Sequence, residues 1–182
     1  RAAATLQPRS ADIQHETGRH LVRLGDASTG LWALRSAVEQ EPNNLQYRLD
    51  LASALMATGK QYAAQAALLQ AHKRHADDPH IPIALARLYE EQGNDSRAAH
   101  FYTLALRSAP HDPMLLRQRG RSYYRLGEYE LARADFGQCE QAMIEGQHWS
   151  ALLEYGQVCV RAGDTAAARR VAAAHTDATP TS

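Results

Sequence analysis

Glycine recurs in this chain at a fixed interval. Gly25, Gly59, Gly93 and Gly127 stand 34 residues apart and Gly163 follows after 36, so one unit is repeated and the fold must be built from copies of it. The repeats run 11–44, 45–78, 79–112, 113–146 and 149–182, with residues 1–10 as a flexible N-terminal lead and Gln147 and His148 as an insertion. Other columns keep the same phase. The eighth reads Gly18, Ala52, Ala86, Gly120, Gly156 and the twentieth Gly30, Ala64, Ala98, Ala132, Ala168, small throughout. The eleventh (Leu21, Leu55, Tyr89, Tyr123, Cys159) and the twenty-fourth (Leu34, Leu68, Tyr102, Phe136, Ala172) are mostly large and apolar. Small residues let two helices approach closely, and large ones fill the space between layers. Each repeat therefore reads as a helical hairpin.

The punctuation agrees with that reading. A glycine just past a helix end adopts the left-handed conformation without a Cβ clash. Asp26, Asn94 and Asp164 follow directly and suit the start of the second helix, where their side chains can accept from free N–H groups; Lys60 and Glu128 cannot be read this way. Prolines at 42, 79, 110 and 113 stop one repeat and set the next turn. The chain has 34 Ala and 21 Leu against 9 Val plus Ile, which favours helix over sheet. Ten helices are expected, near 12–24, 28–40, 46–58, 61–74, 80–92, 95–108, 114–126, 130–144, 149–162 and 165–175.

These columns resemble the tetratricopeptide repeat. Its 34-residue pattern also asks for Ala at the twenty-seventh column, met by Ala37, Ala71 and Ala105, and Pro at the thirty-second, met by Pro42, Pro110 and Pro180. Cys139 and His175 depart at the twenty-seventh, Ala76 and Ile144 at the thirty-second, and the fourth column holds no Trp. The resemblance covers residues 11–182. It implies an all-α, right-handed superhelical solenoid of five hairpins, whose concave groove is lined by the first helix of each hairpin and holds peptides or partner helices.

Charge narrows the range of roles. Lys plus Arg and Asp plus Glu both number 20, and a chain without net positive charge is a poor phosphate reader, so no nucleic acid is expected. No stretch approaches the length of an apolar membrane span. The acids and histidines are spread along helices without the grouping that general acid–base catalysis needs, and no glycine-rich phosphate loop is present, so no enzyme activity and no cofactor are expected. His72 with His75, and His15 with His20, read as solvated surface residues rather than as metal ligands. Cys139 and Cys159 read as neighbouring buried thiols acting as small hydrophobes.

Chaperone-binding members of the resembled family grip a C-terminal carboxylate through residues at fixed groove positions. The three candidate sets begin at His15, Leu49 and Ile83, and none matches. What stands out is the first helix of the fourth repeat. Arg117, Arg119, Arg121 and Arg125 lie between Met114 and Gly127 with no acid among them, and steps of four put Arg117, Arg121 and Arg125 on one face with Tyr124. With Gln118, and with Arg87 from the third repeat, they form the expected partner-binding set. Arg binds carboxylates bidentately, so the partner is expected to be a protein or peptide offering an acidic segment; a solvated face paired with Glu90, Glu91 and Glu128 is the alternative. The expected function is a non-enzymatic scaffold that recruits a partner through the groove or an end of the array. In composition the chain is similar to bacterial envelope, pilus and polysaccharide-export proteins of this family, which favours periplasm or envelope over cytoplasm. Two other readings stand beside this: a recruitment domain excised from a larger enzyme, and a chaperone for secreted subunits. Arg1 in place of Met points to a processed or excised chain. The Ala-rich last helix, over 166–174, is expected to fray or to dock a partner or a second copy.

Overall fold

The computed structural model describes residues 10–75 and 77–178. Residues 1–9 of the expected lead 1–10, Ala76 and Pro180 lie outside them. Among the described residues there are eleven helices and no strand: α1 (Ala11–Arg23), α2 (Ala27–Gln40), α3 (Leu45–Ala57), α4 (Gln61–Arg74), α5 (His80–Glu91), α6 (Asp95–Ala105), α7 (Pro113–Leu126), α8 (Tyr129–Gln138), α9 (Glu140–Glu145), α10 (Trp149–Arg161) and α11 (Thr165–Ala178).

The hairpin turns form as the glycines require. Gly25, Gly59, Gly93, Gly127 and Gly163 all have left-handed φ, between 70° and 92°, and after each the next helix starts within three residues. Asp26 accepts from Thr29 N at 3.1 Å, Asn94 from Arg97 N at 3.2 Å and Asp164 from Ala167 N at 2.9 Å. Lys60 and Glu128 make no side-chain cap. Each cap satisfies a donor that the first helical turn leaves without a backbone partner.

The chain divides into two compact units, residues 1–88 and 89–182. In the first, α1 packs on α2, α2 on α3 and α3 on α4. Gly18 and Gly30 bring α1 and α2 to backbone contact: a Cβ on Gly18 would stand 2.8 Å from the Gly30 carbonyl oxygen. Leu34, Leu55, Leu68 and Ile81 are almost fully enclosed. In the second unit α6 packs on α7, α7 on α8 and α10 on α8, α9 and α11. Tyr102, Leu116, Phe136, Leu152 and Val171 fill its core, each worth roughly 1.5–3 kcal/mol of transfer free energy.

One expected helix is divided. Residues 130–144 form α8 and α9, separated at Cys139, so eleven helices replace the ten expected. The Cys139 thiol donates to the carbonyls of Asp135 at 3.5 Å and Phe136 at 3.3 Å, and the Cys139 amide turns to the Phe136 carbonyl at 3.1 Å. A side chain that takes up helix carbonyls competes with the regular ladder and loosens it. Both cysteines are free and buried. His15, expected at the surface, is instead enclosed: it stacks on Tyr47 with ring centroids 4.5 Å apart, and its Nε2 lies 2.7 Å from Asp50 Oδ2.

Candidate functional site

The arginine-bearing helix α7 is fixed at both ends. Asp112 accepts from the amides of Met114 and Leu115 at 2.8 and 3.0 Å, Pro113 occupies the first turn, and Gly127 closes the helix in the left-handed conformation. Its arginines are not the unpaired row that the helix sequence suggests. Arg119 turns inward, where Nε and Nη2 donate to Asp135 at 2.8 and 2.6 Å and Nη1 donates to Thr103 at 3.2 Å. Arg121 forms a bidentate pair with Glu154 of α10, its Nε donating at 2.8 Å, and Nη1 donates to Gln118 at 3.2 Å. Arg125 donates to Asp95 at 2.9 Å and Glu90 at 3.4 Å. Of the acids expected to balance this face, Glu90 does so. The others come from helices that the local sequence does not show. Hydrogen bonds to these carboxylates raise the pKa of all three guanidinium groups above the ordinary arginine value.

Three of the expected site residues meet around one surface cavity. Arg121, Tyr124 and Arg125 of α7 border a space of about 330 Å³, with Phe136 behind them and Glu154, Gln157 and Val158 of α10 across from them. Tyr124 and Gln157 also border a second space of about 430 Å³ with a mainly apolar lining, where Leu153 and Val160 of α10 meet Val171 and Ala172 of α11. Leu153 and Val160 are half or more exposed. Arg161, at the edge of that space, donates to Tyr129 at 2.7 Å. A polar compartment with two guanidinium groups thus adjoins an apolar one.

The remaining expected residues stand apart from this cavity. Gln118 supports Arg121 from within α7. Arg117 is half-buried, and its Nε has no hydrogen-bond partner. Arg87 belongs to the first unit and is exposed on α5. The sequence reading missed Glu154, Gln157, Leu153 and Val160. Their signal was available, because α10 is the first helix of the fifth repeat, and first helices are the ones expected to line the groove. Among the described residues, no group of three or more His, Cys, Asp and Glu is placed to hold a metal ion, and no helix is long and apolar enough to cross a membrane.

Comparison with known proteins agrees with this architecture. Tetratricopeptide-repeat family profiles match residues 62–113 and 117–182, and a second profile with the same description matches 25–80. The search of curated proteins finds no match. Among solved structures, a tetratricopeptide repeat protein from Parabacteroides merdae is 22% identical with a TM-score of 0.77, over 93% of this chain and 67% of that one. MamA from Desulfovibrio magneticus is 15% identical with a TM-score of 0.76, over 92% of each chain. PilF from Pseudomonas aeruginosa is 17% identical with a TM-score of 0.75, over 97% of this chain and 79% of that one. The fold defines an all-α helical-repeat solenoid of the protein-interaction class. The chain belongs to the tetratricopeptide repeat family.

Proposed function

We propose that the chain is a non-enzymatic scaffold that captures a partner protein through the second unit, by a segment carrying an acidic side chain next to an aliphatic or aromatic one. The observation that carries this reading is the pair of adjoining cavities. Arg121 and Arg125 offer donors to a carboxylate, and Leu153 and Val160, over the enclosed Val171, offer an apolar seat beside it. Carboxylate recognition by guanidinium supplies direction, and the apolar neighbour supplies most of the burial. Because Arg121 already holds Glu154, a ligand carboxylate binds by exchange, which favours a modest and reversible affinity. A role in assembling a bacterial envelope, pilus or polysaccharide-export complex is part of this proposal; the likeness of fold to solved bacterial proteins supports its bacterial setting.

A display screen of random peptides against the chain tests it. Enriched peptides should carry Asp or Glu beside Leu, Ile or Phe, and Arg121→Ala with Arg125→Ala should weaken their capture roughly tenfold or more, as the loss of a charge-assisted hydrogen bond requires. Enrichment of peptides without acids, or capture unaltered in the double variant, would overturn the reading.

A further inference from the structure

The polar cavity of the second unit has a counterpart in the first. There, a space of about 210 Å³ is bordered by Arg19 and Arg23 of α1 and by Asp50 of α3, where the second unit has Arg121, Arg125 and Glu154. Arg19 and Arg121 both stand at the ninth column of their repeats, Arg23 and Arg125 at the thirteenth, and Asp50 and Glu154 at the sixth column of the repeat that follows. The floors correspond as well. Leu34 answers Phe136 at the twenty-fourth column, and Ala54 answers Val158 at the tenth. A repeated fold accounts for a cavity recurring at one register, but it does not dictate the charges around it. The two intervening windows of the array hold Ser53, Ala57 and Ala84, then Arg87, Glu91 and Gln118, at those three columns.

The internal acid is engaged differently in the two places. Glu154 grips Arg121 through both oxygens. Asp50 Oδ2 instead lies 2.7 Å from His15 Nε2 and accepts from Gln46 Nε2 at 3.0 Å, and Arg19 Nε stands 3.8 Å from it. Arg19 donates to Glu16 on its own helix at 3.2 Å with its side chain 44% exposed. Arg23 is exposed, its Nη2 3.0 Å from His20 Nδ1. The first unit therefore holds two guanidinium groups at a cavity whose carboxylate is largely committed elsewhere.

We infer that the first unit carries a second station of the same ligand chemistry: Arg19 and Arg23 receive a carboxylate side chain of a partner segment, and Val22 and Ala57, over the enclosed floor of Leu34 and Ala54, receive the aliphatic side chain beside it. The inference rests on the reading of the second unit as an acid-binding surface, and adds that each chain takes two such segments. Charge complementarity selects the occupant, because an exposed arginine pair gains most from a group that accepts two parallel hydrogen bonds.

The probe is the blocked peptide acetyl-Leu-Glu-Leu-amide, titrated into the full isotope-labelled chain and followed through backbone amide shifts. Two sets of shifts are expected, one on α1 and α3 and one on α7 and α10, and neither with the glutamine form of the peptide. Arg19→Gln with Arg23→Gln should remove the first set and leave the second. Glu154→Gln, which frees Arg121, should strengthen binding at the second several-fold and leave the first unchanged, so the stations are separated by a variant that keeps every arginine of α7. Shifts confined to α7 and α10 would overturn the station in the first unit while the proposed function stands. Shifts confined to α1 and α3 would keep this station and overturn the reading of the second unit. Equal shifts with the glutamine peptide would overturn both.

Discussion

Arg119, Arg121 and Arg125 share a helix, and their carboxylate partners come from four other helices. Arg119 and Asp135 form a bidentate pair with side chains 18% and 4% exposed, whereas Arg121 and Glu154 are each about one-third exposed, at 33% and 35%. A buried charge whose partner is removed keeps its desolvation cost, while an exposed pair gains little beyond what water supplies. Arg119→Ala should therefore destabilise the chain by about 3 kcal/mol, and Arg121→Ala by about 1 kcal/mol or less, both read from chemical denaturation. Equal effects would mean that Asp135 is solvated. At this scale the candidate site was half legible. Steps of four along α7 put Arg117, Arg121 and Arg125 on one face with Tyr124, because helical periodicity is local information; Arg121, Arg125 and Tyr124 border the cavity, and Arg117 does not. The partner acids were not legible from that helix, since Asp135 and Glu154 are 16 and 33 residues further along the chain and reach α7 only through packing. His15 was misread for the same reason: its enclosure by Tyr47 and Asp50 belongs to the pairing of α1 with α3, not to the sequence around residue 15.

The elements themselves were far more legible. Glycine at the fifteenth column fixes where each first helix stops, and a side-chain cap follows it at Asp26, Asn94 and Asp164, so observed helix starts lie within a residue or two of those expected. Breaks arising from within a helix are a different matter. At the interruption the Cys139 amide turns to the Phe136 carbonyl and the thiol bonds two carbonyls of its own helix, and no period in the sequence announces it. The small-residue columns carry the strongest claim at this scale. Ala64 is fully enclosed on α4, while its neighbour Ala63 is exposed on the same helix. Ala64→Leu should overpack the hairpin and cost about 1–3 kcal/mol, and Ala63→Leu should change stability by less than about 0.5 kcal/mol. Thermal or denaturant unfolding of the two variants decides it, and a neutral Ala64→Leu would show that the column does not set the helix approach.

Over the whole molecule the charges cancel, with 20 basic and 20 acidic residues, so net repulsion contributes little and the response to pH is carried by individual enclosed groups. On the alkaline side those groups lie in both units. In the first, the Tyr47 hydroxyl donates to Asp12, and deprotonation would set two negative charges together, which pushes its pKa from 10.0 up to about 12. In the second, burial pushes the Cys139 thiol from 9.0 up to about 11, with the nearby Asp135 carboxylate adding to it, and burial likewise pushes Tyr155 from 10.0 up to about 12. The protonated form is the one that folding favours in all three. Unfolded, each group loses its proton at the lower, ordinary value, so the stability tied to it is fully present below that value and is lost as pH rises to the folded one. Denaturant stability should accordingly hold up to about pH 9, fall between 9 and 11 as Cys139 is drawn in, and fall further to about 12 with the two tyrosines. Cys139→Ala should flatten the first part of the decline, and Tyr47→Phe the second, each on top of its own packing cost. Below pH 9 both thiols should also resist alkylation in the folded chain and react once denaturant opens it, because the reactive thiolate is withheld by burial. Stability that stays level or rises from pH 9 to 11 would show that Cys139 ionises as freely folded as unfolded.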